Sequence, residues 1–93
     1  LLSAWNKERH ISEISLLHDE LFNSILAQHN YTSFAELSIW AQEPTNEYYS
    51  EANAIKEWYR STWMEIKAYF ETVTESTAVE PQTFIENLEP FTV

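Results

Sequence analysis

Ile11, Ile14, Leu17, Leu21 and Ile25 follow one another at steps of three, three, four and four. That spacing keeps them on one side of a helix, because 3.6 residues complete a turn. Leu16, Phe22 and Leu26 widen the stripe, while Glu13, His18, Asp19, Glu20 and Asn23 fall on the polar face. The pattern predicts a helix over 11–29. Residues 2–10 carry a weaker stripe and nothing that breaks a helix, so an N-terminal extension is open. Asn30-Tyr31-Thr32 reads as a turn, with Asn30 replacing the glycine that often takes the left-handed conformation at a helix end. Ser33-Phe34-Ala35-Glu36 has the form of a capping box. A short helix to about Ala41 follows, with Phe34, Leu37 and Ala41 on one face and Trp40 beside it.

Pro44 pushes Glu43 out of the helical region, and Asn46 or Thr45 is placed to cap the next helix. Ala52, Ile55, Tyr59, Ile66, Phe70 and Val73 then recur at helical spacing, flanked by Trp58, Trp63 and Tyr69. This predicts a helix over 47–74, roughly 40 Å long at 1.5 Å per residue. Residues 72–79 read as fraying helix and loop, Pro81 suits a first helical position, and 82–88 form a short helix that buries Phe84, Ile85 and Leu88. The expected fold is all-α: a small helical bundle, with helices 11–29 and 47–74 antiparallel and two short helices beside them. Ile55, Tyr59, Ile66 and Phe70 are expected to face Leu17, Leu21 and Ile25 in its core. One domain over 1–93 accounts for the length.

Composition narrows the chemistry. Of the 93 residues 44% are hydrophobic, too many for a disordered acidic tail. The chain has no Cys, which excludes disulfides and thiolate chemistry, and no Gly, which excludes phosphate-binding glycine loops. A net charge of −10, with Lys7, Arg9, Lys56, Arg60 and Lys67 the only bases, argues against binding nucleic acid or anionic lipid. No apolar run approaches the ~20 residues that span a bilayer. The first residue is Leu, which fits the C-terminal part of a longer chain.

Candidate sites are few. His10, Glu13, His18, Asp19 and His29 lie on or near the first helix, but at spacings that match no helical metal motif. They read as solvated side chains of the polar face, so no metal, cofactor or catalytic residue is expected. The adjacent Asp19-Glu20 reads as a surface pair, and no G-x-S-x-G nucleophile turn exists without Gly. Aromatic rings are the surplus. Trp58 and Trp63 are five apart, which sets them ~140° apart on a helix, wider than the ~100° of a single apolar stripe. Either the long helix is packed on two sides or a ring meets a partner. Trp58, Trp63 and Tyr69, with Lys56 and Arg60, are therefore the interface candidates. Trp58 is the ring expected on the less covered side. Lys56, Arg60 and Lys67 also share a strip, where Glu57 and Glu71 lie at pairing distance along the helix.

From Tyr31 onward the order of features resembles a family of small helical proteins and C-terminal domains associated with tail fibres of tailed phages. The matching stretches are Asn30-Tyr31-Thr32-Ser33, Glu51-Ala52-Asn53-Ala54, Trp58-Tyr59-Arg60-Ser61-Thr62-Trp63 and Phe84-Ile85-Glu86-Asn87-Leu88-Glu89-Pro90. Asn30 stands where the family often has Gly, and Tyr59 intrudes between Trp58 and Arg60. The resemblance implies a non-catalytic structural or assembly module of a phage virion or tail-fibre apparatus, located in the virion or host cytoplasm. Its partner would be a tail or fibre protein, or a second copy of itself. The alternative that the charge supports is a small acidic inhibitor that mimics nucleic acid or fills a basic groove on a host protein.

Overall fold

The computed structural model describes residues 5–92. Four helices follow in chain order: α1 Lys7–Gln28, α2 Phe34–Trp40, α3 Tyr49–Thr72 and α4 Pro81–Glu86. No strand occurs among the described residues. The molecule is the all-α bundle expected, with two long helices and two short ones. The extension allowed for the first helix is present from Lys7; residues 2–4 lie outside the described residues. No helix among the described residues is long and apolar enough to cross a membrane.

Short polar side chains set the helix ends. Asn6 Oδ1 accepts from the Arg9 N–H at 3.0 Å and opens α1. Asn30 follows α1 with a φ of 67°, the left-handed conformation that non-glycine residues other than Asn and Asp rarely take. Ser33 Oγ accepts from the Glu36 N–H at 3.1 Å to start α2. The return half of that capping box differs from expectation: the Glu36 carboxylate takes the Thr32 hydroxyl at 2.7 Å. Asn46 does not cap α3. It accepts from the Tyr48 N–H at 2.7 Å, two residues short of the first helical turn, and Tyr48 itself makes no side-chain cap. Pro81 occupies the start of α4, with Glu80 accepting from the Thr83 N–H at 3.0 Å.

The two long helices run antiparallel in one continuous register. His10 meets Tyr69, His18 meets Thr62, Phe22 meets Tyr59 and His29 meets Glu51. The core they enclose has two parts. One gathers Phe22, Ile25, Leu26, Tyr31, Leu37, Ala41, Ala52, Ile55 and Trp58 around α2 and the start of α3. The other joins Ile14 and Ile66 to Ile85 and Leu88 from α4 and the segment after it.

The buried side of α1 is turned by about one position from the expected stripe. His10, Ile14, His18, Phe22 and Leu26, each four residues after the last, are the buried row. Ile25, Ile55 and Ile66 are buried as expected, whereas Leu17, Leu21, Tyr59 and Phe70 are only half-buried along the edges of the core. Leu16, counted with the apolar stripe, is exposed. Two of the three histidines assigned to solvent, His10 and His18, are buried. The cause lies in α3, whose Thr62, Trp58 and Tyr69 present polar atoms and ring faces to which imidazoles bond.

Candidate functional site

The structure separates the five interface candidates into two groups. Trp58 is not on an open side of α3: its ring is only 8% exposed. Its indole Nε1 donates to the Glu89 carbonyl at 2.8 Å, and the Phe91 ring meets it edge-on with centroids 6.4 Å apart. The segment from Leu88 to Phe91 thus supplies the second packed side that the Trp58–Trp63 spacing required. Tyr69 is also engaged within the chain. Its hydroxyl accepts from the Val79 N–H at 2.9 Å and bonds His10 Nε2 at 2.8 Å, while its ring packs 4.4 Å from that of Phe84.

Lys56, Arg60 and Trp63 come together on the outer side of α3. With Phe34, Asn53, Glu57 and Tyr59 they line a depression of about 400 Å³. Phe34 and Tyr59 also line a neighbouring hollow of about 320 Å³, bordered by Asp19, Phe22 and Asn23 of α1. Phe34 was expected on the buried face of the short helix with Leu37 and Ala41. Those two are buried, but the Phe34 ring, first in α2, is 50% exposed over the depression. The Lys56 ammonium lies 6.0 Å from its centroid, within cation–π range.

The charges around this surface are partly matched. Arg60 forms a two-pronged pair with Glu57, Nη2 to Oε1 at 2.6 Å and Nε to Oε2 at 3.0 Å. The pair holds the Glu57 carboxyl below its usual range. Arg60 Nη1 also approaches the Met64 sulfur at 3.2 Å. The Tyr59 hydroxyl reaches Asp19 at 3.4 Å, and burial, with that carboxylate second, pushes its phenol upward. Such a set of ring faces, one ammonium and one paired guanidinium offers packing area and charge. It suits an apolar side chain with a carboxylate close to Lys56.

Beneath the surface lies a group that the sequence reading placed in solvent. The His18 imidazole is fully buried. Tyr59 and Trp63 stack on it at 4.9 and 5.7 Å, and Trp58 tilts against it at 5.8 Å. Its Nε2 bonds Thr62 Oγ1 at 2.8 Å. The four α3 residues that enclose it are spaced i, i+1, i+4 and i+5, one side of a helix. One signal in the sequence was available: His18 is four residues after Ile14 and four before Phe22, inside an apolar row.

At the far end of α1, Glu51 accepts from the Tyr31 hydroxyl at 2.8 Å and lies 3.1 Å from His29 Nδ1. Burial first, and the Glu51 carboxylate second, push the Tyr31 phenol far above its ordinary value. No group of three or more His, Cys, Asp or Glu side chains arranged to hold a metal ion occurs among the described residues. Compared with protein-family models, curated proteins and solved structures, the chain gives no match.

Proposed function

We propose that this chain is a non-catalytic structural or assembly module that engages a protein partner through the face shared by α2 and α3. The observation that carries this reading is the Phe34 ring, half exposed beside Tyr59, Trp63, Lys56 and Arg60 over one depression. Aromatic and Arg side chains gathered around a hollow are the usual anchors of protein interfaces. The phage setting, with a tail or fibre protein as the partner, rests on the sequence resemblance from Tyr31 to the C-terminus.

A photo-crosslinking residue at position 34 tests both halves in infected cells. The expected product joins this chain to a tail or fibre component, and Lys56→Glu should abolish it while leaving the melting temperature nearly unchanged. Crosslinking to a second copy would make the partner the chain itself. Crosslinks to a basic host protein that survive Lys56→Glu would replace this reading with the acidic inhibitor. No crosslink from position 34, against efficient crosslinking from the opposite side of α3, would remove the surface from consideration.

A further inference from the structure

His10 and His18 of α1, and His29 at its C-terminal cap, each meet a different group on α3, and the three differ in what a second ring proton would find. His29 faces the Glu51 carboxylate at 3.1 Å, so a cationic ring there meets a countercharge. His10 faces the Tyr69 hydroxyl, an oxygen able to accept as well as donate. His18 has neither choice. The Thr62 hydroxyl lies 2.9 Å from the Trp58 carbonyl and 3.2 Å from that of Tyr59, and it donates into its own helix. Its oxygen is then left to accept from Nε2–H of His18. That fixes the neutral tautomer and leaves Nδ1 as the bare nitrogen. Nδ1 is buried without a hydrogen-bond partner. A protonated ring would carry a second N–H into this closed position with nothing to receive it.

We propose that His18 is an acid-released latch between the two long helices: a proton from solvent at Nδ1 is tolerated only when α1 parts from α3. The groups around the ring support this. From α3 it meets Trp58, Tyr59, Thr62 and Trp63, all uncharged. The neighbouring core from α4 and the segment after it is Ile85 and Leu88, and Glu89 reaches Trp58 through its backbone carbonyl. The formal charge that acts on the ring is Asp19, next in α1, whose carboxylate reaches the Tyr59 hydroxyl. Burial pulls His18 below its ordinary value, against the smaller pull of the Asp19 carboxylate toward a cation.

A histidine of the unfolded chain takes its proton near pH ~6.5, while the folded one resists. The stabilisation is therefore complete above that value and is lost as pH falls from it toward the lower folded value. Within that window the folding constant drops by up to about tenfold for each pH unit. The window opens above the carboxylate range, so His18 acts before the fifteen acids are neutralised.

Two measurements on the full chain test the latch. Urea unfolding of the parent should show a several-fold loss of folding constant between about pH 7 and about pH 5.5. Most of that loss should vanish in His18→Gln and His18→Leu, which keep His10 and His29. Nitrogen-15 NMR of the parent should show the His18 ring as Nε2–H for as long as the folded spectrum lasts. An undiminished pH dependence in either folded variant would overturn the proposal. So would a His18 ring that takes up its proton at an ordinary pH with the folded spectrum intact, a result that decides the matter even if both variants fail to fold.

Discussion

Thr62 sits in the middle of α3 with its hydroxyl turned back onto the Trp58 carbonyl and its lone pair on His18. Both partners are buried, so each polar atom depends on the other. Removing one side of such a pair leaves a stranded donor, whereas replacing both sides with apolar groups can be close to neutral. Thr62→Val keeps the shape and removes the acceptor of His18 Nε2–H. It should cost about 1–3 kcal/mol in urea unfolding at pH 7 or above. Adding His18→Leu should recover much of that loss, so the two changes should be far from additive. Simple additivity would show that the contact contributes nothing. At this scale the sequence was least legible. A histidine among Glu13, Asp19 and Glu20 looks solvated, because helical periodicity treats it as polar whatever faces it. Its burial becomes visible only when Thr62 and the Trp58, Tyr59 and Trp63 rings are brought opposite it. Two Trp five apart left open either a second packed side or a partner; His18 contacts both rings, and Glu89 with Phe91 covers Trp58.

Elements were far more legible, since their signals are local. The stripes over 11–29 and 47–74 placed the long helices to within a few residues, and Ser33 and Pro81 marked the starts of the short ones. What the stripes missed was their own rotation. Leu17 and Leu21 are larger and more apolar than His18, yet the histidine holds the buried row and the leucines its edge. The ends of α1 give a sharp test of local chemistry. Asn30 is exposed, so its φ of 67° is a backbone requirement and not a packing one. Asn30→Gly should leave stability within a few tenths of a kcal/mol or raise it slightly. Asn30→Ala should cost about 1–2 kcal/mol, because a Cβ is disfavoured there. That corresponds to a drop of several degrees in melting temperature for a domain of this size. Equal melting temperatures for the two variants would mean that the turn re-forms with another geometry.

The whole molecule is a rod, with a radius of gyration of 15.8 Å, where a globule of this length would have one near 12 Å. Two helices side by side make a thin core, so the covering segments matter more than their length suggests. α4 and the residues after it deliver Ile85 and Leu88 onto Ile14 and Ile66. Phe91 then reaches both Trp58 and His29, at 6.4 and 5.5 Å between ring centroids. A chain ending at Asn87 would lose the buried Leu88, the Phe91 ring and the Glu89 carbonyl that receives the Trp58 indole N–H. Burying a leucine contributes about 1.5–3 kcal/mol, and the hydrogen bond about 1 kcal/mol. The shortened chain should therefore be destabilised by roughly 2.5–4 kcal/mol, set against the ~5–15 kcal/mol of an ordinary domain. It should stay folded at low temperature but melt early. Its tryptophan fluorescence should become more open to acrylamide, and Trp58→Phe should remove that gain, since Trp58 is the indole the segment covers. Unchanged quenching in the shortened chain would mean that other parts of the molecule bury Trp58, and that residues 88–91 are not the second packed side the Trp spacing required.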